Sequence, residues 1–445
     1  MSATAPSIRP SSDVLDHYLS VRRQTDSLVA SLSEADCQVQ SMADASPAKW
    51  HLGHTAWFFE TFVLEPHEPG FKPCHPAYRV LFNSYYNSVG QKHPRPMRGQ
   101  IIRPGLAEVK AYRAQIDQRM ARLLDAGLPE GVPAMIQTGI QHEQQHQELL
   151  LTDIQHALSC NPRQPAYRAP GPRSRLPAAS QPMCWQACDA GLREIGHAGE
   201  GFCFDNEAPR HRVWLRPYAL ASRLVTQGEW LEFIRDGGYE DPRWWLAAGW
   251  DWITAQGVRA PLYWQPDEAG ARPGRWHRFS LQGLVPIEPD APVVHLSYFE
   301  ADAYARWRSE ASPADAGARL PTEAEWEAAA AMVEGPSIAR GNFVDSGAFK
   351  PLAAAVDEAQ AAPALQQLFG DAWEWTSSSY AAYPGYRPWA GIAGEYNGKF
   401  MVNQYVLRGG SCATPRSHIR ATYRNFFPTD ARWQFSGLRL ARDID

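Results

Sequence analysis

The sequence predicts a multidomain protein that joins an all-α bundle to an α+β domain. Two positional counts over its 445 residues and one change of texture point there. Nine of the fourteen histidines precede residue 185, whereas fifteen of the seventeen tryptophans lie at or after it. The front half carries long helical periods, and the rear half carries short segments punctuated by Gly, Pro and Trp. Residues 161–182 contain six prolines, four arginines and no acidic residue, which reads as an extended linker. The expected division is therefore a bundle over 1–160, a linker over 161–183 and an α+β domain over 184–445.

Each element has a local reason. Leu15, Tyr18, Leu19, Leu28, Val29 and Leu32 keep a helical period, with Ser11 and Ser12 as cap candidates. A second helix is expected over 49–64. A third, over 106–124, places Val109, Tyr112, Ile116, Met120 and Leu123 on one face, and a fourth opens at Pro133 and runs to about residue 158. Four such helices make a bundle. Beyond the linker come short segments at 211–215, 293–296, 406–408 and 437–441, and helices at 227–235, at 297–308 and after Pro321. The Ala-rich stretch 353–364 reads as a surface insertion.

Composition narrows the function. With 43 Lys and Arg against 48 Asp and Glu, the net charge of −5 argues against a basic nucleic-acid groove. The apolar run 56–64 is interrupted by Glu60 and is far shorter than the about 20 residues a membrane span needs. Residues 1–12 have no apolar signal core, and seven scattered cysteines form no disulfide framework, so the cytoplasm is the expected compartment. The chemistry is carried by histidine. His142 and His146 stand at i and i+4 of the fourth helix, projecting from one face into the bundle, where a metal can be shared. His51 and His54 on the second helix offer further imidazoles, and a three-imidazole site with open positions suits iron, zinc or copper. His142-Glu143-x-x-His146 also matches the zinc-protease signature, with Glu143 as general base. The extended form of that motif needs Gly and His where Leu149 and Thr152 stand, and only Asp153 and His156 are nearby substitutes for a third ligand.

Several strings together resemble a known family. In the front half they are Ser46-Pro-Ala-Lys-Trp-His-Leu-Gly-His54, Leu81-Phe-Asn-Ser-Tyr-Tyr86 and His142-Glu-Gln-Gln-His-Gln-Glu148. In the rear half they are Arg319-Leu-Pro-Thr-Glu-Ala-Glu-Trp326, Gly370-Asp-Ala-Trp-Glu-Trp-Thr376, Leu407-Arg-Gly-Gly-Ser411, Arg424-Asn-Phe-Phe427 and Gly437-Leu-Arg-Leu440. In order and combination these resemble the sulfoxide synthases of ergothioneine biosynthesis. The resemblance implies a DinB-like four-helix bundle followed by a formylglycine-generating-enzyme-like, C-type-lectin-like α+β domain. It implies Fe(II) held by His54, His142 and His146, with His51 left as an ordinary histidine. The implied reaction uses O2 to couple a cysteine thiol to C2 of the imidazole of hercynine, the trimethylated betaine of histidine.

The resemblance also assigns the surroundings. Gln145 is expected to hold the hercynine carboxylate and Asn425 its betaine end, with the Phe426 and Phe427 faces suited to a quaternary ammonium. Phe427 stands where the γ-glutamylcysteine-using members carry an acidic residue, so free cysteine is the preferred co-substrate. Tyr85 and Tyr86 match a tyrosine pair placed at the iron, where a phenol delivers a proton to the reduced O–O unit. In an extended segment they point to opposite sides, so one of them reaches oxygen. Tyr380, Tyr383 and Tyr386 are further candidates. Arg79, Arg95 and Arg98 could bind the carboxylate of the thiol substrate, and Glu143 and Glu148 could accept from ligand imidazoles. The two reactive cysteines of formylglycine-generating enzyme correspond to Thr414 and Ile419, so that chemistry is expected to be lost. The rivals are a selenoneine synthase using a selenosugar, the zinc protease, and a non-catalytic binding protein. Oligomeric state is not predicted.

Overall fold

A computed structural model describes residues 11–127, 131–169, 182–267, 275–354, 365–390 and 394–444. Most of the Pro/Arg-rich linker, most of the Ala-rich stretch, and the side chains of Ser11 and Ser12 lie outside the described residues. The chain forms two compact units. The first gathers Met1–Arg163 with Gly199–Phe204 and Pro388–Tyr396, and the second gathers Gln164–Ala198, Asp205–Arg387 and Asn397–Asp445. The helical unit is thus completed by two short segments from the far half of the sequence.

The first unit is built on helices α1 (Ser11–Val29), α2 (Ala48–Phe59), α3 (Leu106–Asp125) and α4 (Val132–Ser159). α2 packs on both α3 and α4, and α1 on α4 and α3. Val109, Tyr112, Ile116, Met120 and Leu123 are all buried, as the period of α3 demands. α4 starts after Gly131, whose φ of 85° lies in the left-handed region, and has Pro133 in its first turn. α2 can approach α4 closely because Gly139 has no side chain: a Cβ there would lie 2.5 Å from the Phe59 ring. Beyond Phe59, α2 continues as a π-helical turn over Glu60–Leu64, a distortion frequent at functional sites.

One buried carboxylate ties the four helices together. Glu143 of α4 accepts from Arg22 Nη1 at 2.8 Å and Thr25 Oγ1 at 2.7 Å, both on α1, and from Arg113 Nη2 of α3 at 3.0 Å. Arg113 Nη1 in turn donates to Thr55 Oγ1 (2.7 Å) and the Leu52 carbonyl (3.2 Å) of α2.

The second unit contains twelve strands among its described residues. Strand β1 (Trp185–Cys188) pairs with β4 (Tyr218–Ala221) and β4 with β12 (Ala441–Asp443), all antiparallel. β2 (Gly191–Ile195) and β3 (His211–Leu215) form a two-stranded ribbon. β5 (Trp264–Pro266), β6 (Trp276–Ser280) and β7 (Gly283–Pro286) form a meander. The fourth sheet has the order β10-β9-β8-β11, from β8 (Trp373–Ser379), β9 (Gln404–Arg408), β10 (Asn425–Pro428) and β11 (Ser436–Gly437), with β11 parallel to β8. Helices α5 (Gln227–Arg235), α6 (Tyr298–Ala311) and α7 (Glu323–Ala331) fall where the sequence places them, each opened by a capping box. The segment 293–296 is not a strand: it is irregular, with His295 at φ 67°. Trp230, Trp326, Trp373 and Trp375 are fully buried, so these tryptophans are scaffold. The α bundle and the α+β unit are the predicted fold classes. No helix among the described residues is long and apolar enough to cross a membrane.

Two expectations follow for stability. Arg439 and Glu374, both with no exposed surface, are joined by bonds of 2.9 and 3.1 Å. Removing the cation leaves a buried carboxylate uncompensated, so Arg439→Met should cost about 3–5 kcal/mol in denaturant unfolding. Burial holds the His418 imidazole well below its ordinary value, with Arg420 adding to the effect. A depressed folded value means the contribution is present above the unfolded value near 6.5 and is lost as pH falls below it. His418→Gln should therefore lose less stability than the parent between pH 7 and pH 5, by about 2 kcal/mol.

Candidate metal centre

Three imidazoles converge inside the bundle. His54, His142 and His146 offer ligand nitrogens that all lie within 4.8 Å of one another. His142 and His146 come from one face of α4, and His54 faces them from α2. The His54 Nδ1–H donates to the Phe82 carbonyl at 2.6 Å, which leaves its Nε2 as the bare nitrogen, 3.1 Å from His142 Nε2. The walls are aromatic. His54 stacks on Trp50 (4.5 Å, 15°) and Trp57 (5.4 Å, 19°), and Phe58 lies 4.6 Å from the His142 ring.

Burial is the first cause that lowers all three imidazole values. His142 falls to about 3, His54 and His146 fall well below the ordinary range, and the neighbouring imidazoles depress these last two further. The rings are accordingly neutral bases at physiological pH, the form that binds a metal. Two nitrogens bound at right angles to one ion, each at about 2.1 Å, would lie about 3.0 Å apart. The observed 3.1 Å fits that span. Neutral imidazoles directed at one another in an apolar, dehydrated pocket also call for a cation between them. The donor set suits a transition metal with open coordination positions.

Glu143, beside the first ligand, is turned the other way. Burial would raise its carboxyl, but Arg22 and Arg113 hold it down to about 2. Tied to Arg22, Thr25 and Arg113, it is a structural anion and is not placed as the general base of a zinc protease, which removes the chemical basis of that rival.

The tyrosine pair departs from expectation. Tyr85 and Tyr86 lie at a bend, and their rings stack on each other at 4.6 Å and 27° instead of facing opposite sides. Asn83 shapes the bend: its side chain accepts from the Tyr86 N–H at 3.1 Å and donates to the Tyr86 carbonyl at 3.0 Å. Tyr86 is buried against Phe62 and Trp57, and burial first, then Tyr85 and Tyr396, push its phenol well above the ordinary value. Tyr396, which the sequence reading missed, belongs to the same unit. Its ring lies 5.8 Å from His142 and 6.3 Å from Tyr85, and its hydroxyl donates to Gln145 Oε1. The neighbouring Glu395 accepts from the Asn87 and Ser88 N–H groups, both at 3.0 Å, just beyond the tyrosine pair.

The other candidates are placed as follows. Arg79 is exposed and paired with Glu65 at 2.6 Å, and Arg95 is exposed and donates to the Asp44 carbonyl. Arg98 is buried, with its guanidinium 3.4 Å over the Trp50 ring and its Nη1 2.9 Å from Ser46 Oγ. Asn425, Phe426 and Phe427 lie on β10 of the second unit. Asn425 Oδ1 accepts from the Phe426 N–H at 2.9 Å, Phe426 stacks on Tyr380 at 4.0 Å, and Phe427 meets Trp433 edge-on at 5.9 Å. Tyr380, Tyr383 and Tyr386 are bonded to Asn206, Arg408 and Asp205 within that unit. Two further residues reach the centre: His51, and Asp153, which the sequence offered as a substitute third ligand. His51 bonds to His146 and to Asp153, although the sequence marked it as an ordinary histidine. The signal was present: Asp153 follows His146 by seven residues, two helical turns along the same face.

Comparison with known proteins gives matches for both halves of the chain. Residues 17–150 match the DinB superfamily, and residues 186–444 match the sulfatase-modifying factor enzyme 1-like domain. The hercynine oxygenase of Mycolicibacterium thermoresistibile is 32% identical over 428 residues, covering 90% of this chain and 88% of the relative. That of Mycobacterium tuberculosis is 32% identical over 434 residues, covering 93% and 94%. The formylglycine-generating enzyme of Streptomyces coelicolor is 30% identical over 281 residues, covering 56% of this chain and 85% of the relative. Of these three, the two hercynine oxygenases carry the identity through both halves, and on that ground this chain, with its DinB-type helical domain ahead of a sulfatase-modifying-factor-like domain, belongs to the hercynine oxygenase family.

Proposed function

We propose that this protein is an iron(II)-dependent sulfoxide synthase that couples hercynine to cysteine in ergothioneine biosynthesis. The observation that carries the reading is the neutral His54–His142–His146 triad, two of its rings buried and His146 half-buried, with tyrosines beside it. The net reaction removes the C2 hydrogen of hercynine and the thiol hydrogen, forms one C–S bond, places one oxygen atom on sulfur and releases the other as water. Ferrous iron held by the triad would supply the electrons that activate O2 and a site where the thiol sulfur meets it.

The residues of the chain do the remaining work. His54, His142 and His146 would hold the metal. The aromatic walls from Trp50, Trp57 and Phe58 keep water from the imidazoles. The Tyr85–Tyr86 pair holds the proton that reduction of O2 to water consumes, and burial keeps the Tyr86 phenol protonated until it is needed. Tyr396 fixes the Gln145 amide by occupying its oxygen, which turns the amide's NH2 group to the role of carboxylate donor. Asn425, Phe426 and Phe427 are assigned to the betaine end of hercynine and to selection of the thiol. An apolar Phe427 favours free cysteine over the larger γ-glutamylcysteine. Among Arg79, Arg95 and Arg98, Arg98 is the buried one, and it lies over the Trp50 ring that stacks on His54, so it is assigned to the thiol carboxylate.

Anaerobic loading with Fe(II), followed by air, should give O2 uptake that requires both hercynine and cysteine, with the sulfoxide as product by mass spectrometry. A selenosugar in place of cysteine tests the selenoneine alternative. Replacing His54, His142 or His146 by Ala should abolish both iron retention and turnover; retention of both by any of the three sinks the assignment. Tyr85→Phe or Tyr86→Phe should divert O2 uptake from coupling to oxidation of the thiol alone, lowering the sulfoxide share at least about tenfold. Diversion by Tyr396→Phe alone would move the proton donor away from the pair.

A further inference from the structure

A neutral imidazole binds a metal through the nitrogen that lacks hydrogen, so the partner of its other nitrogen decides which atom is offered. At His54 the partner is the Phe82 carbonyl, which can only accept, and the outcome is settled locally. At His146 the partner is another imidazole. Its Nδ1 lies 2.8 Å from Nδ1 of His51, and that contact alone leaves open which ring donates.

The next bond in the chain resolves it. His51 Nε2 lies 3.0 Å from Asp153 Oδ2, and the same carboxylate oxygen accepts the Ser46 N–H at 2.8 Å. Asp153 and His51 are 6% and 3% exposed, so water does not compete for these bonds. A carboxylate only accepts, which places hydrogen on His51 Nε2. With His51 as a neutral imidazole, its Nδ1 is then an acceptor and His146 Nδ1 must donate. The hydrogen-free atom of His146 is therefore Nε2.

We propose that Asp153 and His51 are positioning residues that set the tautomer and ring orientation of His146, so that its Nε2 lone pair joins those of the other two ligands. The proposal rests on the metal-binding reading given above. It also explains why Asp153, at a sequence spacing that suits a third ligand, is not one: its carboxylate is already committed to orienting a ligand.

The decisive variant is Asp153→Leu, which removes the acceptor that holds hydrogen on His51 Nε2. Asp153→Asn is its control: the Ser46 N–H meets the same carboxylate oxygen as His51, so the amide oxygen takes that place and the acceptor is kept. In the full-length, metal-free protein labelled with 15N-histidine, the parent and Asp153→Asn should show hydrogen on His146 Nδ1, and Asp153→Leu should lose that preference. By competition titration, Asp153→Leu should weaken Co(II) and Fe(II) binding by about 10- to 100-fold, and Asp153→Asn should stay within about threefold of the parent. His51→Gln, whose side-chain carbonyl can accept the same His146 N–H, should also stay within about threefold, while His51→Leu should weaken binding as Asp153→Leu does. Hydrogen on Nε2 of His146 in the parent overturns the proposal. So does parent-like metal affinity in both Asp153→Leu and His51→Leu while His146→Ala loses it. Parent-like affinity in His146→Ala would instead overturn the metal reading itself, whatever the tautomer proves to be.

Discussion

A single dehydrated carboxylate organises the helical unit. Glu143 has no exposed surface, and such a group is tolerable only when paired and hydrogen-bonded. Its partners come from α1 and α3, and Arg113 carries the connection on to Leu52 and Thr55 of α2, the residues on either side of the Gly53–His54 pair. The four helices are thus locked at the level where the histidines meet. Rotation of α4 by one residue, about 100°, would break every bond to Glu143 and swing His142 out of register with His54. The charge cluster and the imidazole cluster occupy adjacent faces of the same helical turn, one rigid and ionic, the other apolar and basic.

This separation has a chemical effect. The permanent charges of Arg22 and Arg113 are paired with Glu143, and further with Asp117 and Asp26, on one side of α4. The pocket on the other side is lined by Trp50, Trp57 and Phe58. Neutral nitrogen bases therefore remain neutral, and a phenol such as Tyr86 remains protonated, because each would have to become charged in a medium that solvates ions poorly. The same low polarity thus acts on both kinds of group, keeping the imidazoles neutral and the Tyr86 phenol protonated.

Much of this was legible in the sequence because it is local. Helical periods gave the four helices of the bundle, the i,i+4 spacing placed His142 and His146 on one face, and α5, α6 and α7 fall where expected. Features that depend on how distant segments meet were not legible. His51 meets His146 and Asp153 only once α2 and α4 are packed in register, and the two-turn spacing of Asp153 from His146 was the one local sign of it. Arg79 and Arg95 looked equivalent to Arg98, yet only tertiary burial separates a surface pair with Glu65 from a guanidinium over Trp50. The bend at Asn83 defeated the extended-strand reasoning applied to Tyr85 and Tyr86. Tyr396 lies more than two hundred residues from the helix it joins and carries no motif.

The assignment of Pro388–Tyr396 to the helical unit bears on how such a protein can change over generations. A module that is continuous in sequence can be exchanged by recombination at its borders and still fold whole. Here a cut within the Pro/Arg-rich segment would deliver a bundle without Tyr396 beside His142 and without the Glu395 carboxylate that holds the Asn87–Ser88 turn. The helical unit thus draws on sequence from both sides of that segment, so the two halves of the chain are expected to be inherited and to diverge together.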